Sequence, residues 1–191
     1  FEHDTAERLV ASFKQVLLGL VREPDLPVSK VPLIDEATRK QLLEGFNATA
    51  VDYPRDRCVH QLFAEQAAAR PDKVAVRVKD ESITYGELDA RANRLAQRLR
   101  ELGVGPDTMV GVFTERSVDM MVAILGAQKA EGAYLPLDPL FPSDRIAYMV
   151  EDAKAPVLLT QARLTDELPE LPEGTTVIRL DADWGSIAEL P

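Results

Sequence analysis

The spacing of apolar residues at the start of the chain predicts a helix with one apolar face. Four large side chains recur at helical spacing on this face: Leu9, Phe13, Leu17 and Leu20. Asp4 and Glu7 have the spacing of a capping box at its start, and Pro24 is expected to end it. The segment around this helix offers its apolar face no partner, so we expect the face to lie on another surface.

A proline-rich stretch follows this helix and predicts a linker. Residues 23–35 contain three prolines, which favours extended irregular backbone. A short second helix is predicted from about residue 35 to residue 44, with Gly45 in a C-terminal cap position. Residues 46–57 are again expected to be irregular.

From Val59 onward the pattern changes to strands that alternate with helices. Valines at positions 74, 76 and 78 predict a half-buried strand, with residues 82–84 as its short partner. Four further strands are predicted at residues 109–113, 133–137, 157–160 and 176–180, with helices of about a dozen residues between most of them. This alternation predicts an α/β fold with right-handed βαβ units and a parallel sheet, preceded by a helical linker segment.

The longest predicted helix begins at a capping box. Thr84 and Glu87 have the required spacing, and Glu87 also has Arg91 four residues further along the helix. The apolar face is expected to be buried and consists of Leu88, Ala92, Leu95, Leu99 and Leu102. Three arginines are expected to point to water: Arg91, Arg94 and Arg98.

Charge and composition exclude several classes of function. The formal net charge is -10 with a pI of about 4.7, which argues against a nucleic-acid partner. The longest apolar run is too short and too polar to span a membrane, and no signal peptide precedes it, so a cytoplasmic location is expected. Cys58 is the single cysteine and is expected to be buried as a small apolar residue. Because the sequence starts at Phe1, we expect further protein upstream.

No residue is predicted to be catalytic, to bind a cofactor or to ligate a metal. The glycines at 103 and 105 follow a helix and precede a strand, which indicates a helix cap and not a phosphate loop. His3 and His60 lie far apart, and neither has a Cys or another His at ligand spacing. Glu115 and Asp119 are explained by a favourable position at a helix start. Three tyrosines could line a cleft, but core packing is the commoner outcome: Tyr85, Tyr134 and Tyr148.

The strand at 133–137 is short and bounded by prolines. Pro136 lacks the N–H that a central strand needs, so this strand is expected at an edge or an end of the sheet. Asp138 and Pro139 are then expected to turn the chain. The segment is therefore interpreted as architecture.

Three stretches carry a resemblance to a known family, of which residues 51–76, VDYPRDRCVHQLFAEQAAARPDKVAV, look like the entry segment of its domain. Residues 83–104, ITYGELDARANRLAQRLRELGV, resemble the first core motif of the adenylation domains of nonribosomal peptide synthetases, in the adenylate-forming enzyme superfamily. Residues 127–146, AQKAEGAYLPLDPLFPSDRI, resemble the second core motif, although Glu131 stands where a glycine is usual and opposes the helix dipole, with Lys129 as a possible offset. The residues that carry the two motifs, expected to be structural, are Thr84, Tyr85, Glu87, Leu88, Lys129, Gly132, Tyr134, Pro136, Asp138, Pro139 and Arg145.

The resemblance also extends to the linker. It implies that residues 1–23 are the C-terminal helix of a condensation domain and that residues 24–50 are the interdomain linker. Residues 51–191 are then the N-terminal part of the large adenylation subdomain. The apolar face of the first helix is accordingly expected to contact a condensation domain.

The resemblance implies the activity of the parent protein. Family members activate an amino acid with ATP and Mg²⁺ and transfer it to the phosphopantetheine thiol of a carrier protein, in the biosynthesis of peptide antibiotics and other secondary metabolites. The implied partners are the condensation domain, the remainder of the adenylation domain and the peptidyl carrier domain, with neither nucleic acid nor membrane. The phosphate loop and the substrate-binding acid and lysine are expected after the second motif, beyond Pro191, so the chain alone is expected to be inactive.

Two other functions remain open at this point. The chain could be a non-catalytic scaffold or interaction fragment, including one half of a split adenylation enzyme. It could also come from an acyl-CoA or aryl-acid ligase of the same superfamily, although such ligases have no condensation domain from which a linker would lead.

Overall fold

A computed structural model describes residues 2–190 and divides the chain into two compact units. The division falls between Arg55 and Asp56, inside the second stretch predicted to be irregular. We describe each unit by itself. Within residues 2–190, no helix is both long enough and apolar enough to cross a membrane.

The first unit contains helices joined by the proline-rich segment. Helix α1 spans His3–Arg22, a 3₁₀ turn spans Val28–Lys30, and α2 spans Glu36–Lys40 and continues as a π-helical turn over Gln41–Gly45. The predicted capping box of α1 is wrong, since Glu2 takes the N-cap position without a side-chain hydrogen bond.

Both ends of the second helix are held by polar side chains. Asp35 caps α2 by accepting a hydrogen bond from the Thr38 N–H at 2.7 Å, and this bond lowers the pKa of Asp35. Gly45 is not the predicted left-handed cap. Instead, the Asn47 side chain donates to the carbonyl oxygens of Leu42 and Leu43 at the end of the π-helical turn.

The second unit contains six strands and five α-helices within the described residues. The strands are β1 (Val74–Val78), β2 (Glu81–Thr84), β3 (Met109–Phe113), β4 (Ala133–Leu137), β5 (Val157–Thr160) and β6 (Thr176–Arg179). The helices are α3 (Val59–Ala69), α4 (Tyr85–Glu101), α5 (Val118–Lys129), α6 (Ser143–Asp152) and α7 (Trp184–Ala188), and a 3₁₀ helix spans Ala162–Glu167. The 3₁₀ helix and α7 were not predicted.

The strands form two sheets. β1 and β2 form an antiparallel hairpin, and the other four strands form a sheet in the order β4-β3-β5-β6. All three pairings in this sheet are parallel, which confirms the predicted fold class. β4 is an edge strand of the described sheet, as Pro136 predicts.

The four-stranded sheet is covered on both faces, as its uniformly apolar central strands require. Leu95, Val112 and Val122 belong to one cluster, which packs α4 and α5 against the sheet. Phe113, Ile146 and Leu158 belong to a second cluster, which packs α6 against the opposite face. Successive residues of β3 therefore alternate between the two cores.

A glycine in the left-handed region ends α4, as predicted. Gly103 has φ 85°, and its N–H donates to the Arg100 carbonyl at 2.9 Å. The Val104 N–H donates to the Leu99 carbonyl at 3.0 Å, which completes a Schellman motif. The confirmed role of this glycine is helix termination.

Candidate functional site

The carboxyl ends of the two central strands mark the point where the sheet changes its direction of winding. After β3 the chain continues to β4 on one side, and after β5 it continues to β6 on the other. Open α/β sheets bind ligands outside the carboxyl ends of their strands at such a switch point. Side chains that gather here form what we call the carboxyl-edge network: Arg91, Glu115, Ser117, Asp119, Gln161 and Arg163.

Gln161 lies at the centre of this network and is only 6% exposed. Its Nε2 donates to Asp119 Oδ2 at 3.2 Å and to Ser117 Oγ at 3.5 Å. Its Oε1 accepts a hydrogen bond from the Arg163 guanidinium at 3.3 Å. A buried amide is costly unless it is hydrogen-bonded, so these contacts connect the loop after β5 to the start of α5.

Arg91, in α4, contacts both the Asp119 carboxylate in α5 and the Trp184 ring in α7. Its Nη2 donates to Asp119 Oδ1 at 3.1 Å, and its guanidinium carbon lies 4.5 Å from the ring centroid of Trp184. The expectation that Arg91 points to water is therefore wrong. After the larger effect of the Thr84 hydrogen bonds, the Arg91 charge also lowers the pKa of Glu87, in line with the expected i,i+4 pair. The arginine lies on the flank of α4 that faces the start of α5, and it reaches a partner 28 residues away in the sequence.

Glu115 and Arg163 form the exposed rim of the network. The Arg163 guanidinium donates to Glu115 Oε2 at 2.7 Å. This hydrogen bond lowers the pKa of Glu115 and raises the pKa of Arg163. The helix-dipole explanation fits Asp119, which lies in the first turn of α5, but Glu115 precedes the helix and is held by the ion pair.

Two buried hydroxyls lie at the same edge of the sheet. Thr114 follows β3 and is 7% exposed, whereas Thr160 ends β5 and is fully buried. Neither Oγ1 atom has a hydrogen-bond partner within residues 2–190. Unpaired buried hydroxyls are uncommon, and both are found where the sheet is expected to meet a ligand.

The first core motif forms a helix start and part of the core. Thr84 Oγ1 accepts from the Glu87 N–H at 3.2 Å, and Glu87 Oε2 accepts from the Thr84 N–H at 3.0 Å, which lowers the pKa of Glu87. The predicted capping box is thus present. Leu88 is buried, and Tyr85 stacks on Phe63 with ring centroids 5.5 Å apart.

Lys129 of the second motif joins two helices. Its Nζ donates to Asp89 Oδ1 at 2.8 Å and to Asn93 Oδ1 at 2.6 Å, and its side chain is only 11% exposed. Lys129 therefore pairs with α4. Its hydrogen bonds thus go to the neighbouring helix and not to Glu131.

Gly132 allows a close approach between two segments. A Cβ atom at this position would lie 2.7 Å from Val104 Cγ1 and 3.0 Å from the Thr108 carbonyl oxygen. Any side chain would therefore push the start of β4 away from the turn that precedes β3. The glycine is therefore required for the close packing of these two segments.

The edge strand presents Tyr134 and Pro136 in an exposed stretch. Pro136 is in register with Val112 of β3, and Tyr134 is in register with Val110. Both motif residues are exposed. Within the described sheet, β4 has no neighbour on its other side, so the missing N–H of Pro136 can point away from β3.

A turn follows the edge strand, as predicted. Asp138 accepts hydrogen bonds from the Leu140 N–H through Oδ1 and from the Phe141 N–H through its carbonyl oxygen, both at 2.9 Å. Pro139 lies inside this turn. Arg145 places its guanidinium carbon 4.2 Å from the Phe141 ring centroid, a cation–π contact that connects the turn to α6.

Three expectations about burial are wrong. Cys58 is exposed because it occupies the N-cap position of α3, outside the core. Tyr148 is exposed because α6 buries Ile146 and Val150 on its other face. Tyr134 is exposed on the edge strand.

The two histidines lie near helix starts, as expected. His3 opens α1 with Asp4 and Glu7 close enough to share an ion, but all three are exposed to solvent on one helical segment. His60 lies in α3, and partial burial lowers its pKa, with a smaller contribution from Lys129.

The apolar face of α1 is exposed within the first unit. Leu9 and Phe13 are 59% and 66% exposed, and Leu17 and Leu20 are also exposed. None of the α1 residues that the structure describes is buried. Such a face on a single helix marks an interaction surface.

A parallel sheet with a switch point between its two central strands places the second unit in the open α/β class. The sequence profile of the family described as AMP-binding enzyme matches residues 63–190, more than half of the chain. The chain therefore belongs to the AMP-binding enzyme family.

Relatives and solved structures extend the match to the linker. Two proteins of the linear gramicidin synthase of Brevibacillus parabrevis are 42% and 48% identical over 98% and 96% of this chain. A crystal structure of the nonribosomal peptide synthetase FmoA3, bound to AMPPNP, covers 100% of this chain at 33% identity with a TM-score of 0.70. The chain spans 4% and 2% of the two gramicidin synthase proteins and 21% of the FmoA3 chain. The predicted resemblance to nonribosomal peptide synthetases is confirmed.

Proposed function

We propose that this chain is the condensation–adenylation linker and the first part of the adenylation domain of a nonribosomal peptide synthetase. The whole protein is proposed to activate an amino acid with ATP and to load the aminoacyl group on a carrier-domain phosphopantetheine thiol. In this proposal, residues 56–191 supply part of the sheet on which the adenylate site is built.

The observation that carries the proposal is that the similarity includes the linker unit. The AMP-binding profile starts at residue 63, whereas the FmoA3 structure matches the whole chain. A stand-alone acyl-CoA or aryl-acid ligase has no condensation domain and needs no such linker. The linker therefore favours a synthetase module over these ligases and over an unrelated scaffold.

The described residues do not fit a nucleotide triphosphate or its Mg²⁺. The loops after β3, β4 and β5 contain no glycine in residues 114–117, 138–142 and 161, so no glycine-rich phosphate loop is present there. Glu115 and Asp119 at the switch point are already paired with arginines. We therefore assign ATP, Mg²⁺ and phosphopantetheine to other parts of the parent, and no chemical step to this chain.

We also propose that the exposed face of α1 packs on a condensation domain. The face consists of Leu9, Phe13, Leu17 and Leu20. Each such side chain contributes about 1.5–3 kcal/mol when it is buried, so the four together can hold a helix on a neighbouring domain. In the isolated chain the same face is expected to drive self-association.

Sedimentation of the 191-residue chain tests this surface. The double substitution Phe13→Glu/Leu17→Glu is expected to abolish self-association of the isolated chain. Lys14→Glu, which changes an exposed charge between the two positions, is the control and is expected to have little effect. Equal association of the wild-type chain and the double variant would contradict the surface assignment.

The proposed activity is tested on the full-length protein. Exchange of labelled pyrophosphate into ATP is measured with each common amino acid, with aryl acids and with fatty acids, followed by loading of a phosphopantetheinylated carrier. The expected result is exchange with one or a few amino acids and a thioester on the carrier. Exchange with aryl or fatty acids alone would support the ligase alternative, and no exchange with any acid would support a scaffold.

A further inference from the structure

The buried amide at the switch point has a role beyond filling space. We propose that Gln161 is a positioning residue: it fixes the loop after β5 against the start of α5 and so sets the geometry of the ligand-facing edge of the sheet. The proposal rests on the adenylation function proposed above, because that function requires an ordered ligand edge on this sheet.

The geometry joins segments that are distant in the sequence. Asp119 and Gln161 are 42 residues apart, and their side chains lie 3.2 Å apart, Asp119 in the first turn of α5 and Gln161 directly after β5. Asp119 is held on its other oxygen by Arg91, and Gln161 is held on its oxygen by Arg163. The Asp119–Gln161 bond is thus the link between an ion pair at α5 and an ion pair at the rim.

A neutral amide satisfies both neighbours. Asp119 requires a donor and Arg163 requires an acceptor, and a carboxamide offers one of each. A carboxylate at position 161 would face Asp119 without a proton between them, and the two like charges would repel. The network holds two arginines and two acids, so a neutral residue at its centre also keeps it balanced.

Stability alone does not require this amide. Replacing a buried polar network by apolar residues of similar volume is often neutral or stabilising, and the described fold has an apolar core on each face of the sheet. An amide adds directional hydrogen bonds, and these fix which atoms of the two loops face each other. A shift of about 1 Å in a positioning element can cost about 10²-fold in rate.

The test uses the full-length protein and a swap of the hydrogen-bond polarity. Gln161→Glu is expected to lower kcat for amino-acid-dependent exchange by about 10²-fold with a smaller change in the KM for ATP. In the double variant Gln161→Glu/Asp119→Asn, an amide at position 119 again faces a carboxylate at position 161. This variant is therefore expected to recover most of kcat. Gln66→Glu is the matched control: Gln66 also accepts a hydrogen bond from an arginine, but it lies in α3, away from the sheet edge.

Thermal unfolding of the 191-residue chain provides an independent readout of the same cycle. Gln161→Glu is expected to lower Tm by about 5 °C, and Asp119→Asn in the same chain is expected to restore part of it. Exchange is measured well below the lowest Tm, so that loss of folded protein does not lower kcat.

The possible results separate the positioning role from the adenylation function. A kcat within twofold of wild type for Gln161→Glu, or a double variant as impaired as the single one, would overturn the positioning role. An equal loss in the Gln66→Glu control would do the same. If the wild-type protein gives no exchange, the adenylation function fails and the catalytic part of the proposal fails with it, while the Tm cycle still decides whether the pair fixes the two loops.

Discussion

Glu131 provides the sharpest test of how sequence and backbone conformation are matched in this fold. It follows α5 with φ 68°, a left-handed conformation that favours glycine. Its N–H donates to the Gln128 carbonyl at 3.1 Å, and the next N–H donates to Ala127 at 3.0 Å, which together form a Schellman motif. Glu131→Gly is therefore expected to stabilise the protein.

The change in the free energy of unfolding expected for Glu131→Gly follows from two opposing backbone contributions and one charge effect. A non-glycine residue in the left-handed region costs about 1–2 kcal/mol, while glycine loses about 0.5–1 kcal/mol through the greater freedom of the unfolded chain. Removing a negative charge from a helix C-terminus adds about 0.3–1 kcal/mol. The net gain expected for Glu131→Gly is about 1 kcal/mol, or about 2–4 °C in Tm for a chain of this size.

A second residue with the same geometry serves as the matched control. Lys154 follows α6 with φ 49°, and Ala155 donates to the Val150 carbonyl at 3.2 Å, as in the motif after α5. Lys154→Gly relieves the same backbone strain but loses a charge that favours the helix dipole. Its gain is therefore expected to be smaller than that of Glu131→Gly.

Urea and thermal unfolding of four variants distinguish strain from charge. Glu131→Gln is expected to recover only the charge contribution, a few tenths of a kcal/mol. Glu131→Ala keeps the strain and is expected to gain much less than Glu131→Gly. The reasoning would be refuted if Glu131→Gly were neutral or destabilising, or if Glu131→Gln alone gave the full gain.

Four further outcomes are expected. Thr84→Ala removes the cap of α4 and is expected to lower the free energy of unfolding by about 1 kcal/mol in urea denaturation. Thr160→Val removes a buried hydroxyl without a partner in the described residues, and a gain of about 1 kcal/mol is expected; a loss would show that the hydroxyl is bonded. Lys129→Met leaves Asp89 without its ion pair and is expected to cost about 2 kcal/mol, partly recovered by Asp89→Asn. The 191-residue chain alone is expected to show no amino-acid-dependent exchange of pyrophosphate into ATP, and robust exchange by homogeneous material would contradict this.

Features that depend on local backbone chemistry could be predicted from the sequence. The capping box of Thr84 and Glu87 involves residues three apart, and Gly103 ends a helix through bonds to the preceding turn. Pro136 restricts its own strand to an edge because the missing donor is a property of the residue itself. Each of these assignments needs only a short window of sequence.

Features that depend on tertiary contacts could not be predicted. Helical periodicity places Arg91 off the apolar face, but it does not show that the start of α5 lies beside it. Gln161 and Arg163 were missed for the same reason, since their partners lie 42 and 48 residues away. The available signal was positional: polar residues directly after an apolar strand of a parallel sheet lie at its carboxyl edge.

The two ends of the sheet differ in how closely they pack and in how polar they are. At the amino end, Gly132 packs so closely on Val104 that a single Cβ atom would clash. At the carboxyl end, Gln161 and its charged neighbours occupy positions that apolar residues could fill at lower cost. In our proposal, this polar network orients the loops that face a bound ligand. The second core motif starts at the amino end of the sheet, where the segments pack closely. It finishes with the Asp138 turn at the carboxyl end. Its first half therefore serves packing, and its second half sets the geometry of a loop.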